Sequence, residues 1–182
     1  MSASRSNPIL YDDTFKVLHL EHGKLDSVRS MPASSPLKVA YEYWISKCDG
    51  DQLPLRSAID PIAMGRILAN IMLVECLGDG DYLYRVVGTR IVETVGTDVT
   101  NKRLSECAHI AQINRVREAY GEVIERRQAR FEVQRGLWLR REWIIQQRLL
   151  MPLRREDDEI EYILGCISTE KYESPGPVIG SR

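Results

Sequence analysis

Charge of one sign is what this sequence most plainly lacks: 25 Lys and Arg residues stand against 26 Asp and Glu, a formal net charge of -1. No global field draws the whole molecule onto nucleic acid or an anionic lipid surface, so such a partner would have to use a local patch. Long hydrophobic runs are missing too. The best, residues 67–77, is broken by Asn70 and Glu75 and has about half the length of a membrane span. Residues 1–8 contain no continuous apolar stretch of the kind a secretory signal needs. A cytoplasmic protein with no membrane contact is the expectation. Cys48, Cys76, Cys107 and Cys166 are widely scattered with no C-x-x-C pair, which argues against zinc or a redox dithiol and for reduced thiols serving as small core hydrophobes.

Signatures of catalysis are equally scarce. Gly88-Thr-Arg and Gly96-Thr-Asp lack the Lys-Ser/Thr ending of a phosphate loop, and no G-x-G-x-x-G follows a strand pattern. There is no G-x-S-x-G elbow, and the three histidines sit in no nucleophile–base arrangement. His19 and His22 are three apart, but their surroundings look extended and no third metal ligand is evident, so they read as solvent-facing. A non-enzyme is the expectation.

What is present is an ordinary soluble composition, 43% hydrophobic and 28% charged over 182 residues, enough for one core. Residues 1–35 mix Ser, Pro and charge, with strand character only at 14–20, and read as an extension, partly ordered, outside the core. From Pro36 the pattern changes. Leu37, Ala40, Tyr41, Trp44 and Ile45 recur at three- and four-residue spacing, an amphipathic helix that stops at Asp49-Gly50. Asp60 can cap, and Pro61 open, a short helix through Ile67 and Leu68.

Strands follow: the apolar run 71–77, a turn at Gly78-Asp-Gly-Asp81, and the β-rich run 82–87 ended by Gly88. Residues 89–106 read as short helices and turns, and 108–127 as the longest helix. Three more strand-like runs occupy 131–138, 143–153 and 162–168. Strands, then helices, then strands predict an α+β fold: a five-stranded antiparallel sheet covered on one face by short helices and one longer helix, with an N-terminal helical extension. The domain is set at 36–172, with a flexible tail at 173–182.

This order, with Tyr43-Trp44, Leu53-Pro54 and Arg56, Asp60-Pro61, Tyr84-Arg85-x-x-Gly88-Thr89, Gly96-x-Asp98-x-Thr100 and Leu150-x-Pro152-Leu153, resembles the PAS domain, a sensory and interaction module. The wording looks like a bacterial branch of single-domain PAS proteins and covers 37–170. Two departures stand out: Asn101 replaces a usual Gly, and Ala69-Asn70 replaces a Pro before the first strand. Asn tolerates the left-handed backbone a Gly would supply there.

The resemblance implies a ligand, where there is one, between the concave sheet face and the central helices. Strand alternation puts Tyr82, Tyr84 and Val86 on one face, and these, with Trp143, are the ligand-binding candidates; the alternative for Tyr84 is an ordinary core tyrosine. Arg85 then faces outward, paired with Glu42 or Glu75. Haem is disfavoured, because His109 is the only histidine near the long helix, and flavin because 101–107 lacks the Asn-Cys-Arg order of light sensors of this superfamily. PAS domains commonly dimerise through N-terminal helices, which makes Tyr41, Trp44 and Ile45 the interface candidates and a homodimer an expectation.

One local charge asymmetry remains. Nine arginines lie between Arg126 and Arg155 against Glu132 and Glu142, and on strands they could hold RNA, DNA or an anionic nucleotide. The competing explanation, favoured here, pairs them across strands with carboxylates, including the acidic run Asp157-Asp158-Glu159 and Glu161. The tail after 170 is too short for an enzymatic or DNA-binding output, so signalling through a protein partner is the expected mode. A small-ligand carrier or an unrecognised enzyme remains the alternative from another class.

Overall fold

A computed structural model describes residues 16–19, 26–107, 113–135 and 144–171. Strand β1 (Lys16–His19) and the short helix α1 (Asp26–Arg29) precede α2 (Pro36–Ile45). Ser35 is extended and Pro36 supplies a preset helical φ at the first position, where its missing N–H costs nothing. The stripe Leu37, Ala40, Tyr41 and Trp44 is buried, as the spacing predicts. A 3-10 segment, Ile62–Asn70, starts where the Ile62 N–H donates to Asp60 Oδ1 at 2.8 Å.

β2 (Ile71–Cys76) and β3 (Tyr82–Val87) form the expected hairpin, its turn made by Gly80 at φ 78°. α3 (Thr89–Val95) and α4 (Ile113–Arg126) follow, then β4 (Arg130–Arg135), β5 (Ile144–Arg154) and β6 (Ile160–Lys171). The sheet runs β1-β4-β5-β6-β2-β3, antiparallel throughout. Five strands are those read from the sequence; the sixth, β1, pairs Lys16 with Val133 on the β4 edge. Val28 of α1 is fully buried in the core, so two described pieces before residue 36 join the domain rather than extend from it.

Both faces of the sheet are covered. α3 and α4 pack on the inner face, over Met72, Val74, Tyr82, Tyr84, Leu150 and Ile163. On the outer face, α2 and the 3-10 segment cover Leu73, Phe131, Leu149, Met151 and Leu164. Trp44 is the largest fully buried side chain, and its Nε1–H donates 3.0 Å to the Pro152 carbonyl of β5. Tyr41 stacks on it with ring centroids 6.1 Å apart. The expected interface residues Tyr41 and Trp44 are thus corrected to internal core: the apolar stripe of α2 is used up on its own sheet, and Ile45 is half-buried against the same cluster. No helix among the described residues is long and apolar enough to cross a membrane.

Two motif positions acquire a physical reason. A Cβ at Gly88 would lie 2.3 Å from the Ala69 carbonyl oxygen, so only glycine lets α3 start this close to the 3-10 segment. Asn101 sits at φ 61°, the left-handed conformation its side chain tolerates, while its N–H donates 2.7 Å to Tyr84 O and caps the β3 edge. At the 69–70 departure, buried Asn70 ties the strand start to β6 by donating 2.7 Å to Ile167 O.

Gly88→Ala is expected to cost about 1–3 kcal/mol through overpacking, while Asn101→Gly is nearly neutral and Asn101→Val costs about 1–2 kcal/mol; urea midpoints at constant m-value check the ranking. Trp44→Ala is expected to lose about 3–5 kcal/mol. Trp44→Phe, which strands the buried Pro152 carbonyl but keeps a ring, loses about 1–3 kcal/mol, and the native mass of the assembly stays the same in a still-folded variant.

Candidate functional site

The inner face changes character from one end of the sheet to the other. At the β2–β3 end it is apolar and aromatic: Met72, Val74, Tyr82 and Tyr84 meet Ala119, Tyr120 and Val123 of α4. At the β4–β5 end, alternation brings Arg130 and Glu132 of β4, and Gln146 and Arg148 of β5, inward beside Leu150. All four polar side chains are buried, and Glu132 is only 1% exposed.

Glu132 lies between the two arginines, directly opposite Arg148 in the strand register. Arg148 Nε donates to Glu132 Oε2 at 2.8 Å, and its Nη2 donates to the same oxygen. Arg130 Nε stands 2.9 Å from Oε1, while its Nη1 donates 2.7 Å to Glu122 Oε2 on α4. The chain of charge runs from β5 through β4 to α4. Burial works most strongly against the charged form of Arg148, but the Glu132 carboxylate together with Tyr120 and Tyr84 more than offsets it and holds the guanidinium above its ordinary value. The Tyr84 and Tyr120 hydroxyls lie 3.2 Å apart, and the Tyr120 O–H also reaches Met72 Sδ at 3.9 Å. Burial pushes both phenols up, Tyr120 well above the usual range, so both stay neutral donors at physiological pH.

Such a face can bind and orient a polar or anionic group; it offers no reactive thiol. Burial raises the two thiols of the inner cluster, Cys107 and Cys76, the latter, beside Glu75 and Glu161, to about 12.

Of the predicted ligand-binding residues, Tyr82 and Tyr84 do lie on this inner face, their rings beside Tyr120. Val86 does not, and its placement is corrected. A β-bulge sets Val74 opposite Tyr84 but Leu73 opposite Val86, leaving Arg85 as the extra residue. Simple alternation fails at that point: Val87 packs inward, and Val86 is 38% exposed on the other side. Arg85 pairs with Glu75 at 2.5 Å, one of its two expected partners. Trp143 and His109 lie outside the described residues.

Sequence reasoning missed Arg130, Glu132, Gln146 and Arg148 as a group. Their period-two placement on strands was the available signal, but polar alternate positions ordinarily mean a solvated face. Three further arginines of this stretch meet the acidic run downstream. Arg127 and Arg154 stand 2.8 and 3.9 Å from Asp158, and Arg155 contacts Asp157 at 3.1 Å and Glu161 at 3.8 Å. Arg127, Arg130, Arg148, Arg154 and Arg155 thus each stand within ion-pair distance of a carboxylate of the same chain.

A family model described as PAS domain matches residues 32–168. No curated protein matches the chain. Among solved structures, the chain is similar to "Structure of an RNA-binding Light-Oxygen-Voltage Receptor", with 13% identity and a TM-score of 0.42, over 63% of this chain and 33% of that one. The chain thus spans about a third of that protein's length. The matched residues run from just before α2 into strand β6 and include the buried Arg130–Glu132–Arg148 group. The chain belongs to the PAS domain family, a family of sensory and interaction modules.

Proposed function

We propose that this chain is a sensory PAS module that binds a small ligand between the inner sheet face and α4 and passes the signal on through contact with a protein partner. The observation that carries this reading is the burial of Arg130, Glu132, Gln146 and Arg148 at core positions. Buried ion pairs are poor stabilisers: exchanging them for apolar groups of similar volume is often neutral or favourable by about 1–4 kcal/mol. A sheet that needed only a filled core would be served better by Leu and Val. Charge kept in that place fits a site that must recognise something polar.

Tyr82 and Tyr84 supply the aromatic side of this site, Gln146 and Arg148 the polar side, and Trp143 is a further lining candidate. Transmission follows the ion-pair chain. Arg130 holds both Glu132 and Glu122, so a ligand that redraws the contacts of Arg148 changes the tension on α4 through Glu122. α2, clamped to β5 by Trp44, carries any shift of the sheet to its exposed polar side at Glu42, Ser46 and Lys47. The two ends of such a relay are a pocket and a protein-facing surface, with no catalytic step in between.

Native mass spectrometry of protein purified without additives, followed by thermal denaturation in a fractionated metabolite extract, tests the reading. Excess mass lost on denaturation, or an extract fraction that raises the Tm saturably, is expected; Tyr84→Trp, which fills the aromatic side, should fold by circular dichroism and lose that response. A clean mass with no stabilising fraction contradicts ligand sensing.

A further inference from the structure

Resting on the ligand-binding reading just given, we propose that the inner face takes small carboxylates with an apolar body, and that Glu132 is a built-in stand-in for the ligand's carboxylate.

Three observations lead there. First, the buried charges do not balance. The side chains of Arg130 and Arg148 are each 9% exposed and that of Glu132 is 1% exposed, so two guanidinium groups share one fully buried carboxylate. The second carboxylate, Glu122, touches only Arg130 of the two and sits at the rim with its side chain 36% exposed. Among the described residues no other anion contacts Arg148. One positive charge in the interior is therefore compensated only from the edge, an arrangement that a bound monoanion would complete.

Second, Arg148 is used below its capacity. A guanidinium fork matches the two oxygens of a carboxylate side by side. Here Nε and Nη2 both converge on the single oxygen Oε2, and Nη1 donates to no acceptor among the described residues. An incoming carboxylate can engage Arg148 through two parallel bonds, and Glu132 then keeps its contact with Arg130.

Third, the surroundings fit the remainder of such a ligand. Tyr120 O–H has a thioether, Met72 Sδ, as one neighbour and the Tyr84 hydroxyl as the other, and sulfur is a weak acceptor that a carboxylate oxygen readily outcompetes. Leu150, Ile167, Met72 and Val74 supply apolar walls next to these donors. A planar, singly charged head on an apolar body matches this lining; a phosphate, with a higher charge and more oxygens than the donors can serve, does not.

The experiment is thermal denaturation and calorimetric titration of the full chain with benzoate and hexanoate, against benzamide, hexanamide and inorganic phosphate. The carboxylates are expected to raise the Tm saturably, and the amides and phosphate to leave it unchanged. Glu132→Gln removes the internal competitor and is expected to tighten carboxylate binding by about tenfold, the size of a 1.4 kcal/mol gain. Arg148→Gln alone strands Glu132 and endangers the fold, so the double variant Glu132→Gln/Arg148→Gln, folded by circular dichroism, is the one expected to lose the response. No carboxylate effect in either the native chain or Glu132→Gln overturns the proposal, as does an equal effect of the amides or a response that survives in the double variant. A co-purified or extract ligand that proves neutral or cationic overturns the carboxylate assignment while sparing the sensor reading; no bound molecule of any charge overturns both.

Discussion

The Glu132 carboxylate, held between Arg130 and Arg148, is the constraint around which charge in the inner half of this molecule is arranged. It exists because the sheet is covered twice. With α2 and the 3-10 segment on the outer face and α3 and α4 on the inner one, the central strands have no solvated side to which a charged residue could turn. Charge on β4 and β5 must then be neutralised where it stands, and the register that sets Glu132 opposite Arg148 does this across the strand pair. The Arg130–Glu122 contact extends the same solution to α4.

The outer face works by a different principle. There the contact is apolar and closely packed, and a directed bond from Trp44 Nε1 to the Pro152 carbonyl fixes α2 along β5. β5 thus carries both halves of the design: Leu149, Met151 and Leu153 toward α2, Arg148 and Leu150 toward α4.

Much of the architecture was legible because its signals are local. The Pro36 start and the Leu37–Trp44 stripe gave α2, Gly78-Asp-Gly-Asp81 gave the hairpin, and Asn101 took the left-handed backbone its chemistry allows. What could not be read depends on the tertiary pairing. A bulge at Arg85 reverses the face of Val86, and nothing in the run 82–87 announces it, because the extra residue is defined only against β2. Trp44 looked like an interface anchor since an aromatic stripe on a helix must cover something, and sequence alone does not say whether that is its own sheet. The inner-face charges were hidden for the converse reason. Arg130, Glu132, Gln146 and Arg148 have the spacing of a solvated strand face, and only the arrival of helices on both sides turns them into a buried group.

Whether that group is kept for recognition or for stability is decided most directly by replacing it with carbon. In the double variant Glu132→Leu/Arg148→Met, Arg130 keeps its partner Glu122, and the inner face gains an apolar contact in place of the ion pair. The expected result is a folded protein whose denaturant midpoint is unchanged or higher and which no longer retains or responds to a small ligand. A variant that unfolds, or one that keeps its ligand response intact, would contradict a recognition role for the buried charges.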